Sequence, residues 1–292
     1  MHDSPRARPL AALIRALEER GLLRAFLPTG GAHPSEVAIR SVTADSRQVV
    51  PGALFVAVRG EQHDGHDFAG EAVAAGAAAL VAERAVPSVG VPQLLVSASR
   101  GALALAAAWF HDFPSLRLGV VGVTGTDGKT TTCYMVRAIL EACGLPTGLL
   151  ATVDVIVGGR QLGNLRRTTT PEAPELQAHL AAMVAAGDRF AVVESSSHGL
   201  AQERVGEVAY DVAVVTNVSH EHLEFHRTFD AYRAAKLGLF ERLAVGPANP
   251  DKGWPKTGVV NTDDASAELF GAAAREAGAE VISYGADEAA EV

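Results

Sequence analysis

Leu118-Gly-Val-Val-Gly-Val-Thr-Gly-Thr-Asp-Gly-Lys-Thr-Thr-Thr132 is the stretch whose reading decides the fold. A β-branched run, Leu118 to Val123, breaks into a turn spaced by Gly125 and Gly128. Lys129-Thr130-Thr131 and the helical pattern Tyr134 to Leu140 follow. Strand, glycine loop and helix with a lysine at the helix mouth form the arrangement that cradles nucleotide phosphates. Backbone N–H groups of the loop and of the helix N-terminus point at the anion, and the lysine adds a point charge. The common spacing G-x-x-x-x-G-K-[ST] is missed by one residue. Its first glycine falls on Val123, between Gly122 and Gly125. The pattern is therefore a variant loop and not that of an ordinary GTPase. Without an anion, Lys129 would face the positive end of the helix dipole, a poor place for a cation.

Outward from this loop, strands alternate with helical patterns, which predicts an α/β domain with a mostly parallel sheet covered on both faces. The expected strands are Leu118–Val123, Thr147–Val157, Phe190–Glu194, Val212–Thr216, Gly258–Asn261 and Glu280–Ser283. Polar clusters follow four of them: Gly125–Thr130, Ser195–His198, Asn217–His226 and Asn261–Asp264. Ligands in such sheets bind at the carboxyl edge of the strands. Upstream, strand-like segments (from Val37, Ala53–Val58, Ala79–Ala82, Gln93–Val96) alternate with helical ones (Phe68–Ala78, Ala102–Phe110). The polar Ala44-Asp-Ser-Arg47 turn and a Gly60–His66 loop lie among them. The linker His111-Asp-Phe-Pro-Ser115 sets the expected division into residues 1–114 and 115–292.

Bulk properties narrow the class. At 292 residues the chain is long for one core, so two domains are expected. With 20% charged and 48% apolar residues it reads as globular. A formal charge of −9 gives no support to nucleic-acid binding. Cys133 and Cys143 make neither a disulfide framework nor a zinc spacing, and Cys133 reads as a small buried filler. The apolar stretch Leu10–Leu17 is interrupted by Arg15, an amphipathic helix and not a secretory segment. No run approaches the ~18 apolar residues of a membrane span. A cytoplasmic, monomeric protein is expected.

Several residues allow two readings. Tyr232, Ala235, Leu239, Phe240 and Leu243 make one buried stripe on a helix from Phe229 to Leu243, and Lys236 falls inside it. That lysine either snorkels to the rim or is held in a site, where burial favours the neutral amine able to take up CO2. Glu194, at a strand end, is either a carboxylate placed for Mg2+ or an N-cap partner of the next helix. His220, His222 and His226, with Glu221 and Glu224, crowd seven positions, at a spacing equivocal for zinc. Thr170, before a helix expected over 171–186, is either its N-cap or part of a ligand site after Arg166-Arg167.

Taken together, the chain resembles the Mur ligases. The resemblance is carried in order by Asp45-Ser-Arg47, Pro51-Gly-Ala-Leu-Phe55, Asp64-Gly-His-Asp-Phe68, Gly122–Thr131 and Thr169-Thr-Pro-Glu172. It continues through Glu194-Ser-Ser-Ser-His-Gly-Leu200 with Gln202 and Arg204, Thr216-Asn217, His222–His226, Ala234-Ala-Lys236 and Asn261-Thr-Asp-Asp264. Within the family it is most similar to the ligases that add the third residue to UDP-MurNAc-L-Ala-D-Glu. It implies an N-terminal uridine-binding α/β domain, a P-loop-type ATPase domain, and the absence of the family's third, C-terminal Rossmann-like domain. A chain without that domain is expected to bind nucleotide but to turn over poorly.

The resemblance further implies ATP and Mg2+ as cofactors, with UDP-MurNAc-dipeptide and a diamino acid as substrates. The family base rate favours meso-diaminopimelate over L-lysine. Gly125, Thr126, Asp127, Gly128, Lys129, Thr130 and Thr131 would hold the ATP phosphates, and Asn261 would lie near the purine. Thr130, Glu194, His222 and a carbamylated Lys236 would serve the metals, with Lys129, His222 and Lys236 as catalytic groups. Ala44, Ser46, Glu61, Gln62 and His63 would meet the uridine diphosphate. Thr169, Thr170, Ser196, Gln202 and Arg204 would line the muramoyl-dipeptide. Asp127 stands where the family commonly has asparagine, and Glu221 where it has aspartate. Alternatives are a folylpolyglutamate synthase-like ligase, against which the N-terminal region counts, and a P-loop switch or silent binding module. Gly119, Gly122 and Gly125 do not make the dinucleotide fingerprint G-x-G-x-x-G.

Overall fold

In the computed structural model the described residues are 7–29, 33–60, 63–163, 168–219, 223–244, 252 and 255–286. They fall into two compact units, Met1–Asp112 and Phe113–Val292.

The first unit carries a five-stranded sheet in the order β2-β7-β6-β5-β4. Its strands are β2 (Leu23–Leu27), β4 (Ser41–Thr43), β5 (Ala53–Val56), β6 (Ala77–Ala82) and β7 (Gln93–Val96). β4 to β7 are parallel, and β2 closes one edge antiparallel to β7. A two-stranded pair, β1 (Arg8–Pro9) with β3 (Ala38–Ile39), stands apart. Three helices complete the unit: α1 (Leu10–Glu19), α2 (Ala69–Ala74) and α3 (Ser99–Phe110). β5 is buried at every position, as a parallel strand covered on both faces must be. β2 is a strand the sequence reading did not anticipate, because Leu-Arg-Ala-Phe-Leu lacks β-branched residues.

The second unit has eight strands in the order β11-β10-β9-β12-β8-β13-β14-β15. They are β8 (Gly119–Thr124), β9 (Thr147–Leu150), β10 (Val155–Val157), β11 (Arg160–Gln161), β12 (Phe190–Glu194), β13 (Val212–Val215), β14 (Thr257–Asn261) and β15 (Glu280–Tyr284). From β9 to β15 across the sheet all neighbours are parallel, while β10 and β11 form an antiparallel edge. The helices are α4 (Lys129–Ala142), α5 (Ala173–Ala186), α6 (Ser197–Ala201), α7 (Leu223–His226), α8 (Phe229–Glu241) and α9 (Ala267–Glu276). Alternation along the strands divides the core into two layers. Val121, Val123, Leu149 and Val192 pack with Cys133 of α4, whereas Val120, Ala191 and Val193 face Leu176 and Leu180 of α5 and Tyr232 and Leu239 of α8.

Two expectations are corrected here. The single strand Thr147–Val157 is two antiparallel strands, because the chain reverses at Ala151–Asp154, where Ala151 N–H donates to Asp154 O (2.9 Å). The helix expected from Pro171 begins at Ala173, with Glu172 in the cap position and Pro174 in the first turn.

β12, β8, β13 and β14 are consecutive parallel neighbours, so their carboxyl ends share one edge. The chain leaves β8 toward β9 and β12 on one side and returns to β13 on the other. The loop after β8 therefore sits where the winding reverses, the usual place for a ligand crevice.

Candidate functional site

The loop between β8 and α4 is built by glycines and fastened by the strand beside it. Gly125 has φ +147, and a Cβ on it would lie 1.8 Å from Thr216 Oγ1. Gly128, at φ +78, occupies the cap position of α4, which has no side-chain cap among the described residues. Thr216 Oγ1 donates to Asp127 O (2.7 Å), as does Asn217 Nδ2 (3.1 Å), and Asp127 N–H donates to Asn217 Oδ1 (3.1 Å). Thr126 N–H donates to Asn217 O (2.7 Å). Thr126 Oγ1 lies 3.0 Å from Tyr232 Oη and accepts from Ser219 N–H at 2.9 Å. Both faces of the loop are thus held by main-chain and side-chain contacts from the β13 end and α8.

Two lysines converge on this loop. Lys129 Nζ donates to Thr126 O (2.6 Å) and Lys236 Nζ to Gly125 O (2.5 Å). Lys236 is 1% exposed, which overturns the snorkelling alternative. Its ammonium also sits 4.3 Å from the centre of the Tyr232 ring, one helical turn earlier. Thr124, on the β8 face shared with Gly122, has a fully buried hydroxyl with no hydrogen-bond partner among the described residues. Gly122 itself has no room for a Cβ, which would lie 2.6 Å from Tyr210 and 2.7 Å from Leu239 of α8.

Glu194 ends β12 and is 2% exposed. Its Oε1 accepts from Thr130 Oγ1 (2.9 Å) and Thr152 Oγ1 (3.1 Å), and its Oε2 accepts from Thr152 N–H (2.9 Å). The N-cap alternative for Glu194 fails, because Ser196 caps α6 by accepting from Gly199 N–H (3.1 Å). A carboxylate and a hydroxyl in contact make an all-oxygen pair, the donor chemistry a hard divalent cation takes when its other positions are filled by water and phosphate oxygens. Among the described residues no three His, Cys, Asp or Glu side chains cluster to hold a metal ion.

The same hydrogen-bonded chain continues outward. Thr152 Oγ1 reaches Thr169 Oγ1 (3.0 Å). Thr170, fully buried, donates to Glu194 O (2.9 Å) and accepts from Ser196 N–H (2.9 Å), so it is not a helix cap. Arg204 donates to Thr170 O (2.8 Å) and Gln202 Oε1 (2.7 and 3.1 Å), and pairs with Glu172 (3.1 Å). The structure therefore brings together Gly125–Thr131, Glu194, Lys236, Thr169, Thr170, Ser196, Gln202 and Arg204. Asn261 joins them from β14. Its Nδ2 donates to Thr216 O (2.8 Å) and its Oδ1 accepts from Asp263 N–H (3.0 Å). His222, with His220 and Glu221, lies outside the described residues, as do Arg166 and Arg167.

Burial, with the Glu194 charge adding to it, pushes the Cys133 thiol well above its ordinary value, which suits a filler and not a nucleophile. Burial and the hydrogen bond to Asp154 push the Tyr134 phenol up to about 12. That bond anchors the turn carrying Thr152 to α4. Sequence reasoning missed Thr152 and Tyr232 as site residues. Tyr232 carried a signal, being four positions before Lys236 in the same stripe, whereas Thr152 carried none.

In the first unit, Ser46 opens a 3-10 turn capped by Asp45, whose Oδ1 accepts Arg47 N–H at 3.1 Å. Ala44 and Ser46 are half-buried; His63 is exposed, with its ring edge-on to Phe68. Glu61 and Gln62 lie outside the described residues. Asp64 Oδ1 accepts from His66 Nδ1 (2.5 Å), and His66 Nε2 accepts from Glu83 N–H (3.0 Å), so both ring nitrogens are engaged.

The family model for the Mur ligase middle domain matches residues 123–292. The chain belongs to the Mur ligase family. A second model, the Mur ligase family catalytic domain, matches residues 38–111. A UDP-N-acetylmuramyl-tripeptide synthetase of Roseiflexus sp. (strain RS-1) is 48% identical over 243 residues, 81% of this chain and 48% of that protein. A UDP-N-acetylmuramoyl-L-alanyl-D-glutamate–2,6-diaminopimelate ligase of Geobacillus kaustophilus is 44% identical over 262 residues, 90% of this chain and 51% of that one. A solved structure bearing the same ligase name superposes with a TM-score of 0.74 at 27% identity, covering 89% of this chain and 51% of its own. The chain spans about half the length of these Mur ligase relatives. Among the described residues no helix is long and apolar enough to cross a membrane.

Proposed function

We propose that this chain is part of an ATP-dependent amide ligase that adds a diamino acid, meso-diaminopimelate, to UDP-MurNAc-L-Ala-D-Glu. The observation that carries the reading is the unbroken hydrogen-bonded path from Thr130 at the phosphate loop, through Glu194 and Thr152, to Thr169. Glu194 O continues it to Thr170 and Ser196. A triphosphate on the loop and a carboxylate on the Thr169–Arg204 cluster would then lie side by side. The names of the similar ligases supply the identity of the added residue.

In this reading ATP phosphorylates the D-glutamyl carboxylate, a poor electrophile until its oxygen becomes a leaving group. The amine of the incoming residue then attacks the acyl phosphate, forming the amide and releasing phosphate. Gly125–Thr131 cradle the phosphates, and Lys129 leaves the Thr126 carbonyl to pair with them. Thr169, Ser196, Gln202 and Arg204 orient the acceptor carboxylate, with the buried Thr170 holding Ser196 and Arg204 in place, supplying catalysis by position and preorganised charge. Mg2+ fits at Thr130 and Glu194, with His222 as a further position, and when bound would neutralise the transferring phosphoryl group. Lys236 fits a carbamate: its amine is buried at the loop, against the Gly125 carbonyl. Residues 1–114 would take the uridine diphosphate at Ala44, Ser46 and the Glu61–His63 loop, and residues 115–292 the ATP.

The test is substrate dependence. ATP consumption by the ligase of which this chain is part should require UDP-MurNAc-L-Ala-D-Glu, and that ligase should prefer diaminopimelate to lysine. Brisk hydrolysis without the muramoyl-dipeptide would favour a generic P-loop NTPase.

A further inference from the structure

Asp127 is the one acidic side chain inside the loop, and it holds nothing in place. All three hydrogen bonds at this residue are made by its main chain, to Thr216 and Asn217. The side chain is exposed and, among the described residues, its carboxylate has neither a hydrogen bond nor an ion pair. Lys129, two positions on, turns to the Thr126 carbonyl instead. A carboxylate is thus carried, on a pinned backbone, by a glycine turn with a lysine at the helix mouth that otherwise favours anions. Its main chain is held by Thr216 and Asn217, which follow β13, so the residue stays in the loop when a phosphate arrives even though the side chain itself can rotate.

We propose that Asp127 is a specificity-determining residue, making the loop select cation-complexed nucleotide over free nucleotide. The inference rests on the reading of this loop as a nucleotide site and deepens it. A bare polyphosphate brings three or four negative charges to within a few ångströms of the carboxylate. A complexed one arrives with most of that charge cancelled. Repulsion between unit charges at about 6 Å, in the intermediate dielectric of a protein surface, amounts to about a factor of ten in affinity. Removing the carboxylate should relieve the free nucleotide by that factor and the complexed one by much less. Asn at this position keeps the size of the side chain and every main-chain bond, so Asp127→Asn changes charge and little else.

The experiment is calorimetric titration of ADP into the full chain at fixed ionic strength, once with excess Mg2+ and once with chelator. Wild type, Asp127→Asn and Asp127→Ala are compared, with circular dichroism to establish equal folding. Both variants should bind ADP about tenfold tighter in chelator, and less than about threefold tighter with Mg2+. Equal changes in the two conditions would overturn the selectivity. Weaker binding with Mg2+ would overturn it as well, by making Asp127 a metal ligand. Unchanged affinities in both conditions would remove any role for its charge. If wild type and variants bind no ADP under either condition, the nucleotide reading of the loop fails and this inference falls with it.

Discussion

Gly125→Ala is the perturbation whose consequence the structure fixes most tightly. The added Cβ would lie 1.8 Å from Thr216 Oγ1 and 3.1 Å from both Thr216 Cβ and Asn217 O, on a backbone at φ +147. Reaching ordinary contact means displacing Thr216 or the loop by more than 1 Å, since contact begins near 3.4 Å. Thr216 Oγ1 cannot move without giving up its bonds to Asp127 O (2.7 Å) and Thr124 O (3.3 Å). The strained backbone costs about 1–3 kcal/mol, and each lost hydrogen bond about 1 kcal/mol. A total of about 3–5 kcal/mol should lower the melting temperature by roughly 6–20 °C. A loop displaced by about 1 Å should also weaken MgADP binding, because the phosphate cradle loses its geometry. Thermal unfolding and MgADP titration of Gly125→Ala, Thr216→Ala and the double variant check this as a cycle. The double variant should be less damaged than the two single losses predict, because removing Oγ1 removes the worst clash. A Gly125→Ala protein with wild-type melting and affinity, or strictly additive losses, would refute the reasoning.

Two further outcomes follow from the same geometry. Thr152→Val removes one of three donors to the Glu194 carboxylate while keeping shape and main-chain N–H. It should cost about 1–2 kcal/mol in denaturant unfolding and raise the Mg2+ concentration needed for half-maximal nucleotide binding. In the first unit, the hydrogen bond from Arg84, with the His66 main-chain N–H, holds the Asp64 carboxyl well below the usual carboxylate range. Its folded pKa is depressed, so its contribution to stability is fully present above the unfolded value and is lost as pH falls through the folded one. Asp64→Asn should therefore be less stable than wild type at pH 7, and the gap should shrink steadily below about pH 4 in urea unfolding. A gap independent of pH would contradict the assignment.

What could be read from residues alone followed the periodicities. The β8 run with its glycine turn, the parallel strands and the buried stripe of α8 are each written into a span of consecutive positions. The carboxyl-edge clustering of Gly125–Thr130, Ser195 and Asn217 follows from parallel order. Lys236 shows where such reading stops, because a lysine in an apolar stripe has the same pattern whether it snorkels or is enclosed. Only the packing of Tyr232 and the approach of Gly125 decide it. Thr152 was invisible for a different reason: it sits in a turn within a β-branched run that reads as one continuous strand. Its use depends on a glutamate forty-two residues away. Thr170 and Pro171 mimicked a helix start, whereas Thr170 is drawn into the sheet edge by Glu194 and Ser196 instead.

The central claim is that the loop after β8 holds a nucleotide's phosphates through Lys129, and one titration tests it most directly. MgADP titrated into the wild-type chain should bind with a stoichiometry of one. Lys129→Ala should weaken that binding by about 30- to 150-fold, given the ~2–3 kcal/mol of a charge-assisted contact. Absence of binding to the wild type, or a Lys129→Ala protein that binds as well as the parent, would contradict it.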